Sequence, residues 1–279
     1  MTNEVSKENS AFIKWTGSKR KIANKIFKYF PSIINNYHEP FLGGGYLLYL
    51  FKKNNPNKFA YGSDIYNPLI KLFKILQNKP YDLIKSYSDN WNKLQKDFPN
   101  YFYKVRERFN KNNNAFDLFF LSRTCANGII RFNSKNQFNN SIHLSRKGIK
   151  PYTIKSTILD WSNNFSKRTI FNTFDFKNLL KKLKMNDFVY LDPPYYGSKN
   201  RYIQNLDFED FVIFLKKLNK KKIKWALSFD GSRSNYQYAN FLDKKIYRRK
   251  IYIKSGYSAI AKVLNKNLEK VTESLYLNY

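Results

Sequence analysis

The sequence predicts an α/β fold built on a mainly parallel, doubly wound sheet, and three observations support it. Seven apolar runs rich in aromatic and β-branched residues recur along the chain, several of them separated by segments with helical spacing. A glycine-rich turn follows the first run and opens a further apolar helix. The fourth run stops on Asp192 and two prolines, at the end of a strand where such folds place their ligands.

The seven expected strands lie near 37–41, 58–63, 169–172, 187–191, 223–229, 246–253 and 271–278. Segment 19–30 sets Ile22, Ile26 and Phe30 on one helical face before Pro31, and segment 208–218 repeats the pattern. Little helix separates the last two strands, so an antiparallel edge hairpin is expected there. Between about 80 and 165 the rhythm changes. "YDLIKSYSDNWNKLQKDF" and "YFYKVRERFN" have helical spacing, while "NSKNQFNNSIHLSRKGIKP" has the composition of a loop or short hairpin. The expected organisation is a core of residues 1–79 and 166–279 with a mostly helical insert, 80–165. Arginines, asparagines and aromatics cluster in that insert, a mixture suited to base edges.

The chain has 279 residues, 42% hydrophobic, with Phe 25 and Tyr 22, enough for a sizeable core. No run reaches the ~20 apolar residues of a membrane span. The polar start "MTNEVSKENS" lacks the layout of a secretion signal, so an intracellular, non-secreted protein is expected. A single cysteine excludes an internal disulfide, and two histidines argue against a zinc cluster; no metal is expected. A formal charge of +31 favours a polyanionic partner, nucleic acid first. Part of the lysine excess follows from an AT-rich coding bias, and "KKLNKKKIK" by itself is a solvated helix end.

Four local sites carry the chemistry. Gly43, Gly44 and Gly45 form a strand–turn–helix junction whose backbone can approach a ligand and adopt positive φ. Their spacing matches neither a dinucleotide fingerprint nor a phosphate loop, which leaves a nucleoside without pyrophosphate, or simply a tight structural turn. Asp64 ends the second strand about 20 residues on, where an acid can hydrogen-bond a ribose diol or merely cap the next helix. Trp15 and Lys19 flank a Thr-Gly-Ser turn just before a helix.

The fourth site is "VYLDPPYYG". Pro193 and Pro194 fix φ and lack N–H groups, so this corner is an array of acceptors. A carboxylate at Asp192 with a backbone carbonyl can take both donors of an exocyclic amino group, and Tyr195 offers a flat surface for a ring. Cys125 is expected to be a packing residue. His38 is expected to be a strand residue and His143 a loop residue, neither catalytic.

With these residues in view, the chain resembles the Dam-like, S-adenosylmethionine-dependent DNA adenine-N6 methyltransferases over nearly its whole length. "KWTGSK", "EPFLGGG", "SDIYNPL", "DF" at Asp175-Phe176 and "DPPY" occur in the family's motif order, with "RTCANGIIRFN" resembling its target-recognition stretch. The resemblance implies a Rossmann-like class I methyltransferase fold with a seven-stranded mainly parallel sheet, and an inserted target-recognition domain. It assigns S-adenosyl-L-methionine to Trp15, Lys19, Glu39, Pro40, Phe41, Gly43, Gly44, Gly45, Asp64, Asp175, Phe176 and Asp192. The target adenine falls to Asp192, Pro193, Pro194 and Tyr195. Double-stranded DNA falls to Arg123, Asn127, Arg131 and Asn133, with Arg146 and Lys147 beside them. Ala126 stands where an aromatic is usual, and 138–148 departs from the family's "FNVPFG", so the GATC target is not carried across. The implied reaction is methylation of adenine N6 in a short DNA site by base flipping and direct displacement. An RNA adenine or DNA cytosine-N4 methyltransferase, or a non-catalytic nucleic-acid binder, would share several of these features. A cognate restriction endonuclease is a partner the resemblance admits, and methylation of one strand at a time is compatible with monomer or dimer.

Overall fold

The computed structural model describes residues 10–145, 147–194, 206–233, 236–237, 242–257 and 270–279. The segment with helical spacing at 19–30 is not one helix: a 3-10 turn at Lys19–Lys21 precedes a short α1 (Ala23–Phe27). Ile22 between them has φ −119° and ψ 2°, and this break separates an inward-turned Lys19 from the apolar face of α1.

Strand β1 (Asn36–Glu39) leads through the glycine turn into α2 (Tyr46–Asn54), then β2 (Phe59–Asp64) and α3 (Asn67–Asn78). Four helices follow before the sheet resumes: α4 (Pro80–Lys96), α5 (Asn100–Asn112), α6 (Ala115–Thr124) and α7 (Pro151–Asn164). Asn114 caps α6 by accepting from Phe116 N at 2.8 Å, and proline opens α4 and α7, where its missing N–H costs nothing. Between α6 and α7 the chain makes a loose hairpin, with isolated bridges Cys125–Ile142 and Phe132–Phe138. Then come β3 (Thr169–Thr173), a 3-10 turn at Phe176–Lys181, β4 (Phe188–Leu191), α8 (Phe208–Lys220) and β5 (Lys224–Arg233). The last elements are β6 (Tyr236–Gln237), β7 (Arg249–Tyr257) and β8 (Lys270–Leu277).

The main sheet runs β3-β2-β1-β4-β5-β8-β7. Its first five strands are parallel, while β8 lies antiparallel between β5 and β7. The seven expected strands are all present. An eighth, β6, pairs with the end of β5, and at two residues it is too short to leave a periodic signal. This is the mainly parallel, doubly wound arrangement expected from the apolar runs.

Alternation along the strands divides the core between two faces. Phe188 and Tyr190 of β4 join the cluster beneath α1 to α7, whereas Val189 and Leu191 join the cluster beneath α8 and the 3-10 turn. The helical insert has no separate core: Phe119 stacks on Phe12 at 4.9 Å, and Trp161 stacks on Tyr49 at 4.5 Å. Each such ring, fully buried, contributes about 1.5–3 kcal/mol. No helix among the described residues is long and apolar enough to cross a membrane.

Candidate active site

Because β1, β2 and β4 are parallel neighbours, their carboxyl ends open on the same edge. Glu39 ends β1, Asp64 ends β2, and Asp192 follows the last residue of β4. Leu42 N donates to Ser63 O at 2.9 Å, seating the glycine turn against β2. Gly45 has φ 65°, and a Cβ there would lie 2.8 Å from the Phe73 ring, so only glycine fits. Gly43, at φ 45°, lies under Trp15, whose Cδ1 would meet a Cβ at 3.0 Å.

A cleft of about 270 Å³ opens above this edge. Its lining includes Trp15, Lys19, Glu39, Pro40, Phe41, the three glycines, Asp64, Asp175, Phe176, Asp192, Pro193 and Pro194. Every residue that the sequence assigned to a cofactor thus borders one cavity, along with three of the four assigned to the amino group. Tyr195 lies outside the described residues.

The cleft is acidic although the chain carries +31. Glu39 is 3% exposed, and burial drives its carboxyl up to about 8; the Tyr37 hydroxyl donates to its Oε2 at 2.7 Å and partly opposes that rise. Burial also raises Asp192, to about 6, against the pull of the Lys19 ammonium 2.8 Å from Oδ1. Asp64 accepts from Gly43 N at 3.1 Å and Tyr66 N at 3.0 Å; burial raises its pKa and these bonds oppose the shift. Asp64 therefore ties the glycine turn to the start of α3 while facing the cleft. Asp175 Oδ1 accepts from Lys177 N at 2.9 Å and caps the 3-10 turn. That cap presents Phe176, whose ring sits 5.2 Å from Phe41 and 5.1 Å from Phe214.

These features suit a nucleoside-like ligand. The volume of about 270 Å³ lies just below the ~300–1,000 Å³ range of small-molecule sites. Apolar walls from Trp15, Phe41 and Phe176 face fixed carboxylates that can receive hydroxyl or ammonium donors.

The residues expected to face DNA behave differently from one another. Asn127, at φ 55°, and Arg131 are exposed, as is Lys147, whose ammonium lies 4.9 Å from the Phe98 ring. Arg123 is a correction. Its Nη1 donates to Ala11 O at 3.0 Å and Phe12 O at 3.5 Å, and its Nε is buried, so it ties the amino-terminal segment to α6. Asn133 is likewise occupied: its Oδ1 accepts from Lys135 N and Gln137 N, both at 3.0 Å, shaping the hairpin turn. Arg146 lies outside the described residues. Cys125 is buried with its thiol raised to about 11, an inert packing group. His38 stacks on Tyr61 and meets Asp187 at 3.1 Å, away from the cleft lining.

Sequence reasoning passed over Glu273 on β8, 3.3 Å from Lys19 Nζ, as well as Tyr37 and Tyr190. A lone acid within the apolar run "TESLYLN" was the available signal for Glu273.

Residues 15–262 match the model of the D12 class N6 adenine-specific DNA methyltransferases. Type II methyltransferase M.MjaIII of Methanocaldococcus jannaschii is 28% identical over 98% of this chain and 100% of its own length. Type II methyltransferase M1.LlaDCHI of Lactococcus lactis is 31% identical over 66% of this chain and 65% of its own. A DNA adenine methylase of Haemophilus influenzae is 28% identical, with 66% of this chain and 63% of that protein covered. The first relative is thus spanned entirely and the other two over slightly less than two thirds of their lengths. Strand ends, glycine turn and acid-proline corner converge on one cleft, and the family match runs through all of them: this chain belongs to the D12 class of N6 adenine-specific DNA methyltransferases.

Proposed function

We propose that this chain methylates N6 of adenine within a short double-stranded DNA site, holding S-adenosylmethionine in the cleft above β1, β2 and β4. The observation that carries the proposal is the position of Asp192, fixed at the carboxyl end of β4 on the same cleft as the glycine turn. When bound, S-adenosylmethionine supplies a methyl group made electrophilic by the adjoining sulfonium. Glu39, Asp64, Asp175 and the turn of Gly43 to Gly45 would hold its polar groups, and Trp15, Phe41 and Phe176 its ring faces.

Asp192 and the Pro193 carbonyl accept from the adenine amino group and align the N6 lone pair. Proline at 193 and 194 keeps the corner rigid, so alignment costs little when the base arrives. An ionised carboxylate beside N6 also stabilises the positive charge that develops there, and it can accept the proton N6 then sheds. With its pKa raised to about 6, Asp192 is a stronger base than an ordinary aspartate, while remaining ionised at neutral pH.

The adenine must leave the duplex to reach this corner, at a cost of a few kcal/mol. Phosphate neutralisation by the basic surface offsets that cost. Helices α4 to α7 and their hairpin form the target-recognition part in this reading, which the exposure of Asn127 and Arg131 supports. The type II names of the relatives support a cognate endonuclease that reads the same site.

The test is to express the chain in cells lacking N6-methyladenine and map modified bases by single-molecule sequencing. One short sequence context carrying N6-methyladenine is expected, absent with Asp192→Ala. N4-methylcytosine, or no modification beyond that of the Asp192→Ala control, would overturn the proposal.

A further inference from the structure

We propose that Glu273 is a positioning residue for methyl transfer, holding the Lys19 ammonium on Asp192; this rests on Asp192 acting at the amino group. Lys19 is only 5% exposed, and a buried ammonium is costly unless its three donors find acceptors. Nζ lies 2.8 Å from Asp192 Oδ1, 3.3 Å from Glu273 Oε2 and 3.2 Å from Gly17 O. These acceptors come from three separate parts of the fold: the turn before α1, the corner after β4 and the middle of β8. Such an arrangement triangulates the charge. With Oδ1 held by Lys19, Oδ2 is the oxygen left for an incoming amino group.

Glu273 is well placed to be the fixed point. Its backbone pairs with Gly231 of β5 on one side and Ile253 of β7 on the other, so both flanking ladders restrain it. Its alternation with Leu275 and Leu277 puts it on the sheet face that packs against α1, the face from which Lys19 enters.

Among the described residues, the charged and titratable groups around Asp192 are Lys19 from the turn before α1, Glu273 from β8, Glu39 and Tyr37 from β1, and Tyr190 from β4. Lys19 lowers the Asp192 pKa, whereas the charge of Glu273 raises it. Glu273 thus acts in two opposed ways, directly through charge and indirectly by keeping Lys19 in place. Two neutral replacements separate them: Glu273→Gln retains an acceptor for Lys19, and Glu273→Ala does not.

The full chain, labelled with ¹³C at aspartate carboxyls, is titrated by NMR, with the Asp192 signal assigned by Asp192→Asn. Methylation rates are followed over the same pH range. Glu273→Gln should lower the Asp192 midpoint relative to wild type. In Glu273→Ala the midpoint should lie above that of Glu273→Gln by about half a unit or more, because Lys19 is released. At pH near 7, kcat should fall about tenfold in Glu273→Ala at unchanged KM for DNA, with Glu273→Gln restoring most of it. Equal midpoints in the two variants, or a wild-type kcat in Glu273→Ala, would overturn the proposal. If Glu273→Ala fails to fold, Glu273→Met, close to Gln in size but without an acceptor for Lys19, takes its place: a midpoint above that of Glu273→Gln supports the coupling and an equal midpoint overturns it. The titration needs no methyl donor, so a chain that transfers no methyl group would sink the enzymatic function while leaving the Glu273 result legible.

Discussion

The cleft and the helical insert both carry polar residues that match motifs, yet they use them in opposite ways. In the cleft, the buried Glu39 and the half-buried Asp64 and Asp192 are carboxyls raised in pKa that border one cavity. In the insert, Arg123 and Asn133 spend their hydrogen bonds on the protein's own backbone. Strand ends impose a direction on their side chains; helix ends and hairpins leave it to the neighbours. A motif match is therefore a sound guide to a binding group at a strand terminus and a weaker one in a hairpin.

The largest expected effect tests the cleft. Asp192→Ala should slow methyl transfer by at least ~10²–10³-fold, the range seen when one fixed acceptor or donor is lost from an active site. DNA affinity should stay within about threefold, because the phosphates are held elsewhere. A filter-binding titration beside a single-turnover assay checks both, and a parallel loss of affinity would erase the contrast between the two regions.

Next in size is the strain stored in the cleft. Burial raises the Glu39 carboxyl from its ordinary 4.5 to about 8, so its proton is held more tightly in the folded protein. The sign follows directly: no penalty exists below the unfolded value, and stability is lost as pH rises from there toward about 8. Glu39→Gln should raise stability on the order of 2–3 kcal/mol near pH 7, while donor binding weakens. Urea melts at pH 5 and 7.5 should show the gain shrinking at the lower pH. A pH-independent difference would mean that the carboxyl is not charged at a cost.

The insert supplies a paired test of smaller size. Arg123→Ala should destabilise the fold by about 1–3 kcal/mol by stranding two carbonyls. Arg131→Ala should leave melting unchanged, weaken DNA binding, and reduce the slope of log affinity against log salt by about one. Reversed outcomes would put Arg123 back on the DNA surface. The smallest effect is expected for Lys147→Ala, where an exposed cation over Phe98 contributes about 0.5–1 kcal/mol.

Much of this site was legible in the residues themselves. Apolar runs placed all seven main strands within a few residues, because burial on alternating or continuous faces leaves a periodic trace. Helix α6 was harder to separate from its surroundings: "FDLFFLSR" is apolar on nearly every side, since it is buried between α3, α4 and α5. Arg123 resembles a DNA contact in sequence because nothing local distinguishes a guanidinium that turns inward from one that turns out.

Local spacing by itself determined the order of the strands along the chain, the glycine turn and the acid-proline corner, since each depends on neighbours a few residues away. The tertiary structure alone decided that β8 enters between β5 and β7, that Arg123 turns inward, and that Glu273 meets Lys19 from the other end of the chain. Those facts depend on which distant surfaces bury one another, and a charge is held in the interior only where such surfaces bring it a partner.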